Sequence, residues 1–270
     1  MRVCVVGMGK SGTTALLYAI RAAMPAGTQV LFEPRTFVAV TAHDAAAKVL
    51  LHPKHPMPAA FYGQFDRLVL IVRDPRDVLI SRVLYRAYGA TAMLSDPAKL
   101  ARYLDLLRAK EADPRAVSVR QINEVFQSMG GSAAHSDEGR TRMLADALAF
   151  HEAFPAAFVY RYETMVEGDF GALADYLSLP AARMTPEVPD ALRRVERSRR
   201  AGNWRDWFCP EDVAHFRPLL APYMARYGYD DGWTLADAPV IRPAECSEYV
   251  MRLVRERRGN AAALQGAPRD

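Results

Sequence analysis

The chain has 270 residues, half of them hydrophobic and 24% charged, with a net charge of +4. That is ordinary for a soluble globular protein with a sizeable core, and the charge is too mild to imply a nucleic-acid partner. No apolar run approaches a membrane span, and the three widely spaced cysteines (Cys4, Cys209, Cys246) argue against a disulfide scaffold or a zinc site and suit a reducing, cytoplasmic setting.

In chain order, Val3–Val6 is a short apolar, β-branched run that enters a strand almost at once, without the pattern of a secretory signal. A glycine-rich turn follows, then a helical run from Thr13 to about Met24. Gln29–Phe32 reads as a second strand ending at Glu33-Pro34, and Val49–Leu51 as a third. Leu68–Val72 (LVLIV) is the strongest strand, an unbroken apolar run of the kind buried on both faces of a parallel sheet. It ends in Arg73-Asp74-Pro75, with Asp74 placed to cap a helix and Pro75 at its first position. From about Ala98 to Phe154 the pattern is helical, broken by a small, polar, Gly-rich loop at Met129–Arg140. Ala157–Tyr160 is a last strand, followed by helices near Phe170–Leu177, Pro210–Tyr227 and Ala244–Arg257, the last before a disordered end. Strands alternating with helices predict an α/β, three-layer, P-loop-like sandwich around a central, mostly parallel sheet. The expected division is one α/β domain over residues 1–235, with a helical insertion at about 88–154, and a C-terminal helix and tail over 236–270.

The segment VVGMGKSGTTALL (Val5–Leu17) fits three phosphate-loop descriptions. All share one physical basis, in which a glycine-rich strand-to-helix turn brings backbone N–H groups and a positive helix end to an anion. Gly7, Gly9 and Gly12 spell the G-x-G-x-x-G of dinucleotide-binding proteins, and Glu33 lies 21 residues beyond Gly12, where a ribose-binding acid belongs. This implies an NAD(P)-dependent oxidoreductase or binding protein. Gly9-Lys10-Ser11 ends like a nucleotide triphosphatase loop, but Cys4 stands four residues short of Gly9-Lys10 where a glycine is needed. A small-molecule kinase on that plan would turn Asp74 or Asp77 to magnesium.

The third description has support elsewhere in the chain. Lys10-Ser11-Gly12-Thr13-Thr14 resembles the 5′-phosphosulfate loop of sulfotransferases that use 3′-phosphoadenosine 5′-phosphosulfate (PAPS). LIVRDPRDVLISR (Leu70–Arg82) resembles that family's 3′-phosphate motif, with Arg73 ending a strand and Ser81 eight residues later. FVYRYETM (Phe158–Met165) resembles its Tyr-Glu segment, here Tyr162-Glu163, and RSRRAGNWRDWF (Arg197–Phe208) its late basic loop. The four segments keep the family order and bracket nearly the whole chain. The resemblance is closer to bacterial and carbohydrate-type members: Ala15 stands where cytosolic ones carry an adenine-stacking tryptophan, and Arg199 where their late loop has its first glycine.

The resemblance implies PAPS as donor, its product 3′-phosphoadenosine 5′-phosphate (PAP), and no metal. Sulfuryl transfer, like phosphoryl transfer, depends on positioning and charge stabilisation. Lys10 would neutralise the bridging and leaving oxygens, while Gly9, Ser11, Gly12, Thr13 and Thr14 hold the 5′-phosphate. Arg73 and Ser81, with Arg197, Arg199 or Arg200 from the loop at Gly202, would hold the 3′-phosphate, and Tyr162 is a candidate for adenine stacking. A general base must take the acceptor's proton. Glu33 has the favoured position at a strand end, with His52 and His55 in LLHPKHP as alternatives. The acceptor, a small molecule, carbohydrate or lipid, is not specified by the sequence, nor is an oligomeric state.

Overall fold

The computed structural model describes residues 1–51, 56–130, 136–230 and 232–266, with side chains to residue 260. Five strands form one sheet: β1 (Arg2–Gly7), β2 (Gln29–Phe32), β3 (Ala45–Leu50), β4 (Arg67–Val72) and β5 (Phe158–Arg161). Their order is β2-β3-β1-β4-β5 and every pairing is parallel. All five carboxyl ends therefore open on one edge, the edge at which α/β proteins hold ligands.

The helices are α1 (Thr13–Ala23), α2 (Ala59–Tyr62), α3 (Pro75–Tyr85), α4 (Thr91–Leu94), α5 (Pro97–Ala112), α6 (Val119–Ser128), α7 (Asp137–Ala153), α8 (Tyr162–Val166), α9 (Gly171–Leu177), α10 (Trp204–Trp207), α11 (Pro210–Arg226) and α12 (Ser247–Gly266). Alternation along β1 separates the two helical layers. Val3 and Val5 face α1 and α9 in one core, while Cys4 and Val6 face a larger core that includes α3, α5, α7, α11 and α12. The three layers of the predicted sandwich follow directly.

The third strand departs from its expected bounds, since it starts at Ala45 rather than Val49. Alanine has little strand preference of its own, but between β1 and β2 three consecutive alanines are buried on both faces, and packing overrides propensity. Asp74 caps α3 as expected, its carboxylate accepting from the Arg76 amide with Pro75 at the first turn. The expected loop at 129–140 is shorter at its far end, because Ser136 caps α7 and the helix begins at Asp137. Helix α12 extends well past Arg257 and packs on α3, α5 and the 3-10 turn Arg86–Gly89. The three cysteines are buried and unpaired. Among the described residues no helix is long and apolar enough to cross a membrane.

Candidate functional site

The turn between β1 and α1 is built around its glycines. Gly12 has φ +97°, and a β-carbon there would lie 2.5 Å from the Tyr162 ring. Both the backbone conformation and the space demand glycine. Gly12 is also the N-cap of α1, and no side chain among the described residues caps the helix. The first-turn amides, with Thr13 and Thr14 buried, are left for an anion. Lys10 sits at φ +75° and Glu33 at φ +50°. Left-handed conformations in non-glycine residues cost about 1–3 kcal/mol each and persist where the surroundings hold them, commonly at functional sites. Arg199, at φ +48°, is a third such residue in the same region.

These elements wall a cavity of about 550 Å³ at the carboxyl edge of the sheet, lined by the β1–α1 turn together with Arg73, Ser81, Tyr162, Arg197 and others. The Lys10 ammonium lies 3.8 Å from the centre of the Tyr85 ring and donates to the Val195 carbonyl at 3.1 Å. Burial, reinforced by Arg73, Arg197, Lys48 and Arg194, drives its pKa well below that of an ordinary lysine. Arg73, 5% exposed, donates to the Lys10 carbonyl at 3.2 Å and lies 4.0 Å from the Tyr162 ring centre. Its Nε has no hydrogen-bond partner among the described residues, and neither has Nη2 of Arg197. Buried guanidinium N–H groups without acceptors are costly unless a ligand supplies them.

On the β2–β3 side, the buried Lys48 reaches from the middle of the sheet edge into the cavity. Its ammonium donates to Thr14 Oγ1 at 2.7 Å and to Glu33 Oε1 at 2.5 Å. Desolvation lowers the Lys48 pKa, and the contact with Glu33 opposes that without cancelling it. One lysine thus joins the anion loop to the candidate base.

The late basic loop is held from outside itself. Asp77 of α3, completely buried, accepts from the Gly202 amide at 2.7 Å and from the Trp204 amide at 2.9 Å. Its burial raises its pKa despite Arg73 at 3.9 Å. Glu245 accepts from Arg200 at 2.5 Å, and its carboxylate lies 4.0 Å from Arg197. Helix α12 adds Tyr249, which donates to the Arg194 carbonyl at 2.9 Å, and Arg252, which donates to the Glu196 carbonyl at 2.6 Å.

Of the predicted site residues, Gly9, Lys10, Gly12, Thr13, Thr14, Glu33, Arg73, Ser81, Tyr162, Arg197 and Arg199 all line this cavity. Ser11 lies within the turn, buried, with its hydroxyl bonded to the Met8 carbonyl. Arg200 and Gly202 stand away from the cavity wall: Arg200 turns to Glu245, and Gly202 serves as an anchoring amide. Arg199 is largely exposed and pairs with Glu196, whereas the Arg197 side chain is 4% exposed. His52 and His55 lie outside the described residues. Sequence reasoning missed Lys48 and Tyr85. The signal for Lys48 was a lone charge in the apolar run AAAKVL, and for Tyr85 its helical spacing of one turn from Ser81.

No family model matches the chain, and no curated protein matches it significantly. Among solved structures the fold is that of a sulfotransferase. Mouse sulfotransferase SULT7A1, complexed with PAP, superposes with a TM-score of 0.51 at 15% identity, covering 83% of each chain.

Proposed function

We propose that the protein is a sulfotransferase that takes the sulfuryl group from PAPS and delivers it to a hydroxyl or amine. The observation that carries this reading is the convergence, on one cavity, of a glycine-built anion turn and two buried arginines, Arg73 and Arg197, each with an unsatisfied N–H. A nucleotide phosphorylated at both ends of its ribose needs two such cationic cradles. The fold shared with a PAP-bound sulfotransferase supports the same choice.

When bound, PAPS would supply a sulfuryl group activated by its phosphate leaving group. The turn amides, Thr13 and Thr14 would hold the 5′-phosphate, and Arg73, Ser81 and Arg197 the 3′-phosphate. Lys10 and Lys48 would stabilise negative charge between the loop and the acceptor. Glu33 would take the acceptor's proton, and its ion pair with Lys48 would fix its direction. A dinucleotide protein would leave Glu33 free for a ribose, but here it faces Lys48. A kinase would turn Asp74 and Asp77 to a metal. Here Asp74 is clasped by Arg76 at 2.8 Å, and Asp77 is engaged by two amides.

The test is calorimetric titration with PAP, NAD and ATP–magnesium on the wild type, Lys10→Ala and Arg73→Ala. Binding of PAP without metal, weakened by both substitutions, is the expected result. NAD binding insensitive to Arg73→Ala would overturn the proposal.

A further inference from the structure

Behind the donor cavity, three arginines meet inside the helical layer. Helix α3 and the 3-10 turn after it present Leu79, Arg82, Val83 and Arg86 on one stripe. Their i, i+3, i+4, i+7 spacing is the one that normally carries apolar side chains into a core. Opposite the stripe stand Asn123 of α6, Arg140 of α7 and Phe216 of α11, and between them lies a cavity of about 10 Å³. That is room for a single occupant of about the size of water.

The charge on these walls is concentrated and poorly balanced. Arg86 and Arg140 are each 6% exposed. Burial lowers the Arg82 pKa to about 10, and the charges of Arg140 and Arg86 add to that effect. Arg86 is lowered in the same way, by burial first and by Arg140 as well. Arg140 has a carboxylate partner in Asp137, but that group also lies 3.0 Å from His215. The partners of Arg86 are neutral. Asn123 Oδ1 and the Ile122 carbonyl accept from it, and Tyr103 beside it keeps its proton because burial raises that hydroxyl's pKa. The Arg86 Nε has no hydrogen-bond partner among the described residues, and no carboxylate among them lines the cavity.

Guanidinium groups gathered away from water repel one another unless an anion lies between them. A water molecule would accept their hydrogen bonds but leave the charge standing, and a phosphate, sulfate or carboxylate needs more room than the cavity has. We infer that this cavity is a binding site for a monatomic anion, chloride, held as a fixed counter-ion among Arg82, Arg86 and Arg140. The inference does not depend on the proposed transfer reaction. It does bear on the cavity at the sheet edge, because Arg82 lines both spaces and its Nη1 lies 3.6 Å from where a Gly9 β-carbon would stand. The ion thus sits behind a guanidinium that reaches the anion turn.

Thermal unfolding of the intact protein in sodium chloride and in sodium gluconate, at equal ionic strength, tests this. Asn123→Asp places a carboxylate against Arg86, so the variant no longer needs the ion. General effects of each salt on burial are common to both proteins. Replacing gluconate by chloride should therefore raise the wild-type midpoint by about 3 °C or more relative to the variant's. Arg73→Ala should respond as the wild type does, since chloride in the donor cavity is not the cause. Crystals grown in chloride give a measurement that needs no variant: diffraction at long wavelength should show an anomalous chloride peak between Arg86 and Arg140. The same salt response in wild type and Asn123→Asp, loss of the response in Arg73→Ala, or a water in place of the anomalous peak would overturn the inference.

Discussion

The two loops that meet at the cavity are made in opposite ways. The β1–α1 turn carries the groups proposed to hold the anion in its own amides and hydroxyls, and its glycine is required by a +97° φ at Gly12 and by the Tyr162 ring beside it. The late loop from Arg197 to Trp204 contributes side chains, and its shape is imposed by Asp77, more than a hundred residues earlier, and by Glu245, far later. The first loop is mainly a local device, set between the strand behind it and the helix ahead, with Arg73, Lys48 and Tyr162 packed against it. The second is a tertiary device: Asp77 holds two of its amides, and Glu245 faces its arginines.

The largest test of this contrast falls on the local device. Lys10→Ala should lower the transfer rate by about 10²–10³, the usual effect of removing one preorganised charge stabiliser, with folding unchanged by circular dichroism. A loss below tenfold would shift the main charge stabilisation to Lys48. Next comes a lesion of the tertiary device through its remote anchor. Asp77→Asn keeps one acceptor but turns an amide donor toward a backbone N–H, at a cost of about 1–3 kcal/mol. It should weaken PAP about tenfold or more while leaving adenosine 5′-monophosphate nearly unaffected, since only PAP engages the 3′-phosphate arm. Equal loss for both nucleotides would show that Asp77 supports the whole fold instead.

A third test separates the loops by protons. Lys10 has a depressed pKa in the free protein, and an anion beside it raises that pKa again. Between the two values, binding must take up a proton, so PAP affinity should fall as pH rises from the depressed value toward the restored one. Calorimetry in buffers of different ionisation heat would read that uptake, and it should vanish in Lys10→Ala. The smallest effect is expected from Arg200→Ala. That side chain points to Glu245 and away from the cavity, so PAP affinity should change by no more than about twofold, in the range of a surface ion pair.

The same contrast explains what could be read in the sequence. The sheet, the order of its elements and the glycine-built turn were legible because glycine spacing, apolar runs and the Asp74-Pro75 cap act on their immediate neighbours. Glu33 was legible as a strand-end acid. Its partner Lys48 was not, because AAAKVL has a composition that favours helix, and only the packing of β3 between β1 and β2 makes it a strand with an inward lysine. Among Arg197, Arg199 and Arg200 no rule of spacing selects the buried one, since the choice depends on Glu245 and on the left-handed turn at Arg199.

The anchoring of the late loop by residues 245–252 also orders events during synthesis. Domains acquire structure as the chain emerges, earlier segments first. The strands, the glycine turn and Arg73 are all available long before Glu245, Tyr249 and Arg252 leave the ribosome. A nascent chain paused before that point holds all five strands and the glycine turn, while the late loop still lacks its contacts from residues 245–252. The late loop takes its final shape when α12 docks, so a segment made well after the sheet acts as the assembly step for that wall of the cavity.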